Sequence, residues 1–188
     1  MSKVILVTGG ARSGKSNFAE QLCINRNNET AYIATSVPFD DELKDRVKKH
    51  KESRPQNWNT YEIYKDIYSI IEEISKKHKT VILDCVTLLV NNLMFTHEID
   101  IDKDKANQDQ INNVEMYIKD QVTKLIEEIK KTDLYFVVVT NELGMAVVPD
   151  NKLSRVYTDI VGRINQCIAS QSDEVYFVVS GIPMKIKG

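Results

Sequence analysis

The chain alternates between short runs that are almost wholly apolar and longer segments in which apolar residues recur every three or four positions. The short runs are rich in Val, Ile and Tyr and lack polar alternation, which is typical of strands covered on both faces. They predict strands at 4–8, 31–34, 81–84, 134–140 and 175–180. The longer segments predict helices near 16–25, 40–52, 66–78, 86–95, 109–131 and 151–170. The last helix has one clear apolar stripe, made of Leu153, Val156, Tyr157, Ile160, Val161, Ile164 and Ile168.

The regular alternation of strand and helix predicts an α/β fold, with a mostly parallel sheet and helices on both faces. Crossovers between parallel strands are expected to be right-handed. Ligands of such sheets bind beyond the carboxyl ends of the strands, so functional residues are expected at that edge. A length of 188 residues predicts a single domain over 1–188, with a core large enough to fold without disulfides.

Two stretches interrupt the alternation. Residues 96–108 are polar with little periodicity, and we expect a mobile surface connection there. Residues 141–150 follow the end of a predicted strand and contain Gly144 and Pro149. Because functional residues concentrate on loops that a rigid scaffold positions, this loop is a candidate wall of a substrate site.

Residues 9–16 follow the first apolar run and have the pattern G-x-x-x-x-G-K-S. A strand, a glycine-rich turn and a helix start form an anion site, because backbone N–H groups of the turn point at phosphate oxygens. In this interpretation Lys15 reaches the β- and γ-phosphates and Ser16 binds Mg²⁺. The alternative is a tight turn with a solvated lysine. The candidate nucleotide-binding residues of the loop are Gly9, Gly10, Ala11, Arg12, Ser13, Gly14, Lys15 and Ser16.

Asp84 ends the predicted strand 81–84. An aspartate in this position can hold Mg²⁺ directly or through water when a phosphate loop lies on the same edge. The alternative is that Asp84 caps the following helix.

A basic segment at 46–62 contains His50 among five cations, followed by the chain's single tryptophan, Trp58. Composition alone favours a solvated basic helix that ends before Pro55. In the functional interpretation the neighbouring cations keep the imidazole of His50 neutral near pH 7. A neutral ring nitrogen can then attack an α-phosphate while the cations hold the triphosphate. Trp58 itself is predicted to be a core or interface aromatic.

Charge and cysteine content narrow the function classes. The 25 basic and 27 acidic residues give a net charge of −2, which argues against a nucleic-acid or bilayer surface, because both need a basic excess. Three scattered cysteines suit a reducing compartment better than disulfides or zinc. No signal peptide is visible and no apolar run approaches the length of a membrane span. We therefore expect a soluble, cytoplasmic protein.

Motifs spread over most of the chain resemble one family. The most specific is the segment His50-Lys51-x-x-Arg54-Pro55-x-x-Trp58. The others include Tyr32-Ile33-Ala34-Thr35-Ser36, Leu83-Asp84-Cys85-x-Thr87, Thr140-Asn141-Glu142-x-Gly144-Met145-x-Val147-Val148-Pro149 and Val179-Ser180-Gly181-x-Pro183. With the phosphate loop, they resemble the bifunctional adenosylcobinamide kinase / adenosylcobinamide-phosphate guanylyltransferase family of cobalamin biosynthesis, from residue 4 to about 187.

The resemblance implies a RecA-like P-loop fold, a homotrimer and two reactions. One phosphorylates adenosylcobinamide with ATP or GTP. The other transfers GMP from GTP to adenosylcobinamide phosphate through a guanylyl-histidine and releases pyrophosphate. The resemblance makes His50 the histidine that carries GMP, and Lys49 stands where some relatives have a second histidine.

The resemblance also implies a set of ligand contacts. Mg²⁺ is expected on Ser16 and Asp84. Val37, Glu52 and Ser53 occupy variable positions, so their contacts are expected through the backbone. Outside the loop, the implied nucleotide contacts are Thr35, Ser36, Val37, His50, Lys51, Glu52, Ser53, Glu62 and Asp84.

The sequence also predicts the role or the position of several single side chains. Asn141 and Glu142 either contact substrate or close a turn. An anion-binding role on the last helix would rest on Arg155 alone. The remaining predictions are a surface position for His78 and His97 and a helix-core position for Met94 and Phe95.

Two other function classes stay open. A small-molecule or nucleoside kinase could use the basic segment as a lid, and it would form no covalent nucleotide adduct. A recombinase-like ATPase would need a basic face with stacking aromatics, which the net charge of −2 does not favour.

Overall fold

A single sheet organises the computed structural model, which describes residues 1–36, 55–96 and 107–188. The described strands are β1 (Lys3–Gly9), β2 (Thr30–Ala34), β3 (Asn59–Glu62), β4 (Thr80–Asp84), β5 (Tyr135–Val139), β6 (Glu174–Val179) and β7 (Ile182–Lys187). The described helices are α1 (Lys15–Ile24), a 3₁₀ turn (Ile67–Ile70) that leads into α2 (Ile71–Lys77), α3 (Val86–Thr96), α4 (Gln108–Lys130) and α5 (Lys152–Gln171).

The strands lie in the order β3-β2-β4-β5-β1-β6-β7. All neighbouring pairs from β3 to β6 are parallel, and β7 runs antiparallel beside β6. The predicted α/β fold with a mostly parallel sheet is therefore confirmed. The carboxyl ends of the parallel strands meet at one edge, which we call the carboxyl edge.

Apolar side chains fill both faces of the sheet. The 3₁₀ turn and helices α2 to α5 cover the face that carries Leu6, Ile33 and Leu83. Helix α1 packs on the other face, which carries Ile5 and Ile82. Successive strand residues point to opposite faces, and each face is packed, so the strands read as continuous apolar runs.

The two long helices form where the sequence predicts them. In α4 the buried apolar residues are Ile111, Val114, Ile118, Val122, Leu125, Ile126 and Ile129. Its start is fixed by a capping box, in which the side chain of Asn107 accepts from the Gln110 amide at 2.9 Å and the Gln110 side chain accepts from the Asn107 amide at 3.1 Å. In α5 the predicted stripe faces the core, with its first three members partly buried and the other four fully buried.

Two strands were not predicted, and both lie at edges of the sheet. β3 has the polar sequence NTYE and is mostly exposed, while all six residues of β7 are exposed. Edge strands of this kind bury too little apolar surface to leave an apolar run in the sequence. The predicted helix 40–52 and most of the predicted connection 96–108 lie outside the described residues, although α3 extends through Thr96 and α4 begins at Gln108.

Two side-chain predictions were wrong. His78 is only 3% exposed, because Tyr61 and Asn59 of β3 lie against its ring, with the Tyr61 hydroxyl 3.2 Å and the Asn59 side-chain nitrogen 3.4 Å from His78 Nε2. Met94 is buried as predicted, but Phe95 is 59% exposed, since adjacent helix positions point about 100° apart and only one faces the core. His97 lies outside the described residues.

All three cysteines are free, as the sequence predicted. Burial raises the pKa of Cys23 to about 12, so this thiol is an inert core side chain. No described helix combines the length and the apolarity that crossing a bilayer requires.

Candidate active site

The phosphate loop joins the end of β1 to the start of α1 at the carboxyl edge. Two of its glycines are required by close approaches. A Cβ on Gly9 would lie 2.5 Å from the Val178 carbonyl oxygen, and a Cβ on Gly14 would lie 3.0 Å from Gly181 Cα. Gly14 also has φ of 93°, which L side chains rarely adopt. The glycine spacing therefore follows from how tightly the loop packs on the neighbouring strand.

The turn of the β6–β7 hairpin, at the edge of the sheet, contacts the phosphate loop. Its two turn residues, Ser180 and Gly181, have φ of 50° and 81°, as expected for a two-residue hairpin turn. The Gly181 amide donates to the Ser13 carbonyl at 2.7 Å. The tip of the hairpin thus fixes the middle of the phosphate loop.

Lys15 is the first residue of α1 and is 9% exposed. Its ammonium folds back over the loop and donates to the Gly10 carbonyl at 3.0 Å. Desolvation lowers the pKa of Lys15, and the negative charge of Asp84 is among the influences that oppose this decrease. The burial of Lys15 excludes the alternative of a solvated lysine on a tight turn.

Asp84 ends β4 and is oriented by Tyr32 of β2. The Tyr32 ring is buried (1% exposed), and its hydroxyl donates to Asp84 Oδ2. Thr35 fixes the backbone at the same point, since its hydroxyl donates to the Asp84 carbonyl at 2.7 Å and to the Cys85 carbonyl at 3.0 Å. Asn92 in turn donates to the Thr35 carbonyl at 2.6 Å. The turn after β4 is thus tied to the end of β2.

Glu62 lies at the same level as Asp84 across the paired strands β3, β2 and β4. In the register, Glu62 pairs with Ala34, and Ala34 pairs with Asp84. Both carboxylates therefore lie at the carboxyl edge, two strands apart, with Thr35 and Ser36 directly following Ala34 between them. The structure places the phosphate loop, Thr35, Ser36, Glu62 and Asp84 along the same edge of the sheet, with Glu62 on β3 four strands from β1.

Three hydroxyls at this edge are buried and lack a hydrogen-bond partner within the described parts of the chain. They belong to Thr8, Ser13 and Ser36. Thr8 precedes the loop, Ser13 lies within it, and Ser36 follows β2.

Asn141 closes the turn after β5. Its side chain donates to the Thr87 hydroxyl at 2.9 Å, and its carbonyl accepts from Asn165 at 3.0 Å. Asn165 also accepts from the Thr140 hydroxyl at 2.7 Å. Of the two roles left open for Asn141, the structure favours closing the turn. Arg155 is likewise committed to the backbone, because it donates to the carbonyls of Pro149 and Asp150.

Comparison with known proteins decides the family. The family model of cobinamide kinase / cobinamide phosphate guanyltransferase matches residues 5–186. The chain belongs to this family. It is 41% identical over 184 residues to the bifunctional adenosylcobalamin biosynthesis protein CobU of Escherichia coli K12, covering 98% of this chain and 99% of the relative. The CobU protein of Salmonella typhimurium LT2 is 42% identical over the same shares of both chains.

A more distant relative and a solved structure agree. The bifunctional adenosylcobalamin biosynthesis protein CobP of Pseudomonas aeruginosa PAO1 is 31% identical over 183 residues, covering 97% of this chain and 96% of the relative. A KaiC-like protein from Pyrococcus horikoshii OT3 superposes with a TM-score of 0.50 at 14% identity, over 93% of this chain and 70% of that one. This likeness concerns the fold alone, and it supports the predicted RecA-like P-loop architecture. Both the resemblance and the fold class are confirmed.

Part of the predicted cobinamide kinase site lies outside the described residues. Those residues are Val37, His50, Lys51, Glu52 and Ser53.

The described chain resumes at Pro55, just beyond that segment. Trp58 is partly buried on the α1 face, which confirms its prediction as a packed aromatic, and its ring centroid lies 6.4 Å from that of Tyr32. The carboxyl end of the basic segment therefore packs on the same tyrosine that orients Asp84.

Sequence reasoning assigned no role to Tyr32 or to the Thr35 hydroxyl's hydrogen bonds. One signal was available for Tyr32: a tyrosine inside a buried apolar strand needs a partner for its hydroxyl. Strand alternation places Tyr32 and Ile82 on the same face, and Asp84 is two residues after Ile82. The pairing register of β2 and β4 was needed to complete that inference.

Proposed function

We propose that this chain catalyses both reactions for which its family is named: phosphorylation of adenosylcobinamide with ATP or GTP, and transfer of GMP from GTP to adenosylcobinamide phosphate. One observation carries the proposal. A chain that matches the family over residues 5–186 retains a complete phosphate loop after β1, and Asp84 ends the parallel strand β4 at the same edge of the sheet.

The phosphate loop would bind the nucleotide through its backbone amides and Lys15. In the nucleotide complex the ammonium of Lys15 exchanges the Gly10 carbonyl for phosphate oxygens, which accept more strongly because they are charged. The buried hydroxyls of Ser13 and Ser36, which lack partners among the described residues, support a polar ligand at this edge.

Ser16 and Asp84 would hold Mg²⁺. The described residues contain no cluster of three His, Cys, Asp or Glu side chains that could hold a metal. A pair of protein oxygens suits Mg²⁺, which completes its shell with waters and substrate phosphates. When bound there, Mg²⁺ neutralises charge on the β- and γ-phosphates.

In the kinase step the chain acts mainly by positioning. The cobinamide hydroxyl oxygen attacks the γ-phosphorus, its bond to that phosphorus forms, and the bond to the leaving diphosphate breaks. Lys15 stabilises charge on the transferred group. The hydroxyl proton passes to a carboxylate, for which Asp84 and Glu62 are the two candidates.

In the second reaction His50 acts as nucleophile. A ring nitrogen attacks the α-phosphorus of GTP, an N–P bond forms, and pyrophosphate leaves. A phosphate oxygen of adenosylcobinamide phosphate then attacks the same phosphorus, and the N–P bond breaks to return the free imidazole.

The remaining proposals follow from the family resemblance for the oligomeric state, and from length, net charge and cysteine content for the rest. Residues 1–188 act as one domain and assemble as a homotrimer, without nucleic acid as a partner. The free cysteines support a reducing compartment, and we propose the cytoplasm. The proposed nucleotide contacts are Gly9, Gly10, Ala11, Arg12, Ser13, Gly14, Lys15, Ser16, Thr35, Ser36, Val37, His50, Lys51, Glu52, Ser53, Glu62 and Asp84.

The decisive experiment is intact mass after incubation with GTP and Mg²⁺ but without acceptor. Wild type is expected to gain one GMP through a bond that is labile in acid and stable in alkali. His50→Ala is expected to gain none, whereas the control His97→Ala gains it normally. An adduct retained by His50→Ala refutes the assignment of the nucleophile. The absence of any adduct on wild type favours a small-molecule kinase.

A second experiment asks whether one loop serves both reactions. Lys15→Ala is expected to abolish phosphorylation of adenosylcobinamide and formation of the GMP adduct together. Phosphorylation that survives this substitution would reveal a separate phosphate site.

A further inference from the structure

The loop after β5 exposes an unusual amount of apolar surface. Met145, Val147 and Val148 are 77%, 92% and 73% exposed. Residues 144–148 contain no charged or polar side chain. Contiguous exposed apolar surface costs solubility, so it commonly marks a binding site. We call residues 145–148 the apolar loop surface.

The backbone beneath this surface is restrained. The Gly144 amide donates to Glu142 Oε1 at 3.0 Å, and the Ala146 amide donates to the Leu143 carbonyl at 3.1 Å. At the far end Arg155 donates to the Pro149 carbonyl at 2.9 Å. The backbone that carries the exposed side chains is therefore held in place before any ligand arrives, which lowers the entropic cost of ordering the loop on binding.

The loop that carries this surface starts beside the phosphate loop. β5 lies between β4 and β1 in the sheet, so the loop leaves the carboxyl edge between Asp84 and the phosphate loop. The Glu142 amide donates to the Gly9 carbonyl at 3.0 Å, which joins the two loops directly. An acceptor whose hydroxyl reaches a nucleotide on the phosphate loop would have its body beside this surface.

We propose that the apolar loop surface binds an apolar face of the acceptor's corrin ring. This inference rests on the proposed function, which makes the acceptor a corrinoid. A corrin macrocycle is wide, and methyl groups stand on both of its faces between amide side chains that project from its rim. A row of uncharged Met and Val side chains on a restrained backbone matches such a face. The peripheral amides stay in contact with water.

The test is a triple variant that changes polarity and conserves size: Met145→Gln, Val147→Thr and Val148→Thr. The matched control is Met116→Gln with Ile186→Thr, which alters apolar side chains that are 62% and 61% exposed elsewhere on the molecule. We expect the triple variant to raise the KM for adenosylcobinamide by about tenfold or more, because each side chain loses apolar contact. The KM for GTP and the GMP adduct formed without acceptor are expected to match wild type, as are all parameters of the control.

The outcomes are distinct. An unchanged KM for adenosylcobinamide in the triple variant overturns the inference. A raised KM that accompanies a fall in oligomeric mass, measured by light scattering, also overturns it, because the surface then joins copies of this chain. If wild type itself neither phosphorylates adenosylcobinamide nor forms the GMP adduct, the proposed function fails and the inference falls with it.

Discussion

Tyr32 illustrates how one buried hydroxyl controls a charged group at the site. Its hydroxyl donates to one oxygen of the Asp84 carboxylate, so the plane of that carboxylate is fixed relative to the phosphate loop. The tyrosine ring is packed on both sides and cannot follow the carboxylate if it turns. We infer that Tyr32 positions Asp84 for Mg²⁺.

We predict that Tyr32→Phe raises the Mg²⁺ concentration needed for half-maximal activity and lowers kcat by about tenfold, because a 1.4 kcal/mol loss of positioning changes a rate by that factor. Titration of both activities with Mg²⁺ is the measurement. The matched control is Tyr176→Phe, which removes a hydroxyl that donates to Glu174 at 2.8 Å. A Tyr32→Phe enzyme with the wild-type Mg²⁺ dependence contradicts the positioning role.

His78 is a buried imidazole whose ordinary pKa lies near neutral pH. Desolvation lowers its pKa below the ordinary value of 6.5, with Glu29 opposing and Lys77 adding to the decrease. The folded state therefore holds the ring neutral, while the unfolded state binds a proton below pH 6.5. Stability is thus present above pH 6.5 and falls as the pH decreases towards the folded pKa.

We predict that replacing His78 with Gln flattens this dependence. Between pH 7 and 5.5 the free energy of unfolding of wild type is expected to fall more steeply than that of His78→Gln, by at most about 1.4 kcal/mol per pH unit. Urea denaturation at several pH values measures both slopes. Parallel slopes would show that His78 does not titrate differently in the two states.

At the scale of elements, two glycines in helical segments are expected to respond oppositely to the same change. Gly14 caps α1 with φ of 93°, and a Cβ there would press on Gly181. Gly162 lies inside α5, and a Cβ there meets nothing within 4 Å.

We predict that Gly14→Ala destabilises the protein by roughly 1–2 kcal/mol, because alanine disfavours the left-handed region. Gly162→Ala is expected to stabilise it by about 0.5–1 kcal/mol, because alanine favours the helix. Denaturant unfolding of both variants tests the pair. Equal signs for the two changes would contradict the structural account.

The sequence predicts the buried strands of the sheet but not its exposed edge strands. β1, β4 and β5 were predicted because their side chains are buried on both faces, which leaves an unbroken apolar run. β3 and β7 left no such run because they are exposed edge strands. The burial of His78 could not be predicted for the same reason, since its cover comes from β3. Lys15 and Asp84 were predicted as site residues from local sequence patterns. The pairing of Tyr32 with Asp84 could not be predicted in this way, because it depends on strand register, which is a non-local property.

At the scale of the whole molecule, nucleotide binding should be linked to global stability. The phosphate loop connects β1 to α1, and both belong to the central packing of the sheet. A ligand that binds only the folded chain stabilises it by mass action.

We predict that GTP with Mg²⁺ at 100 times its dissociation constant stabilises wild type by about 2.7 kcal/mol and raises its Tm by on the order of 5–10 °C. Lys15→Ala is expected to abolish the increase in Tm, whereas Lys76→Ala, which alters an exposed pair with Glu72, keeps it. Thermal denaturation followed by circular dichroism provides the measurement. A full increase in Lys15→Ala would place the nucleotide elsewhere.

The hydrogen bond between Gly181 and Ser13 has a kinetic consequence. The two residues are separated by most of the sequence, so the chain must close a very long loop before the bond can form, and contacts of this kind arise late in folding. The loop at residues 9–16 is encoded first, yet it is completed only when the distant hairpin has docked. During refolding, recovery of nucleotide affinity should therefore lag behind recovery of helical signal.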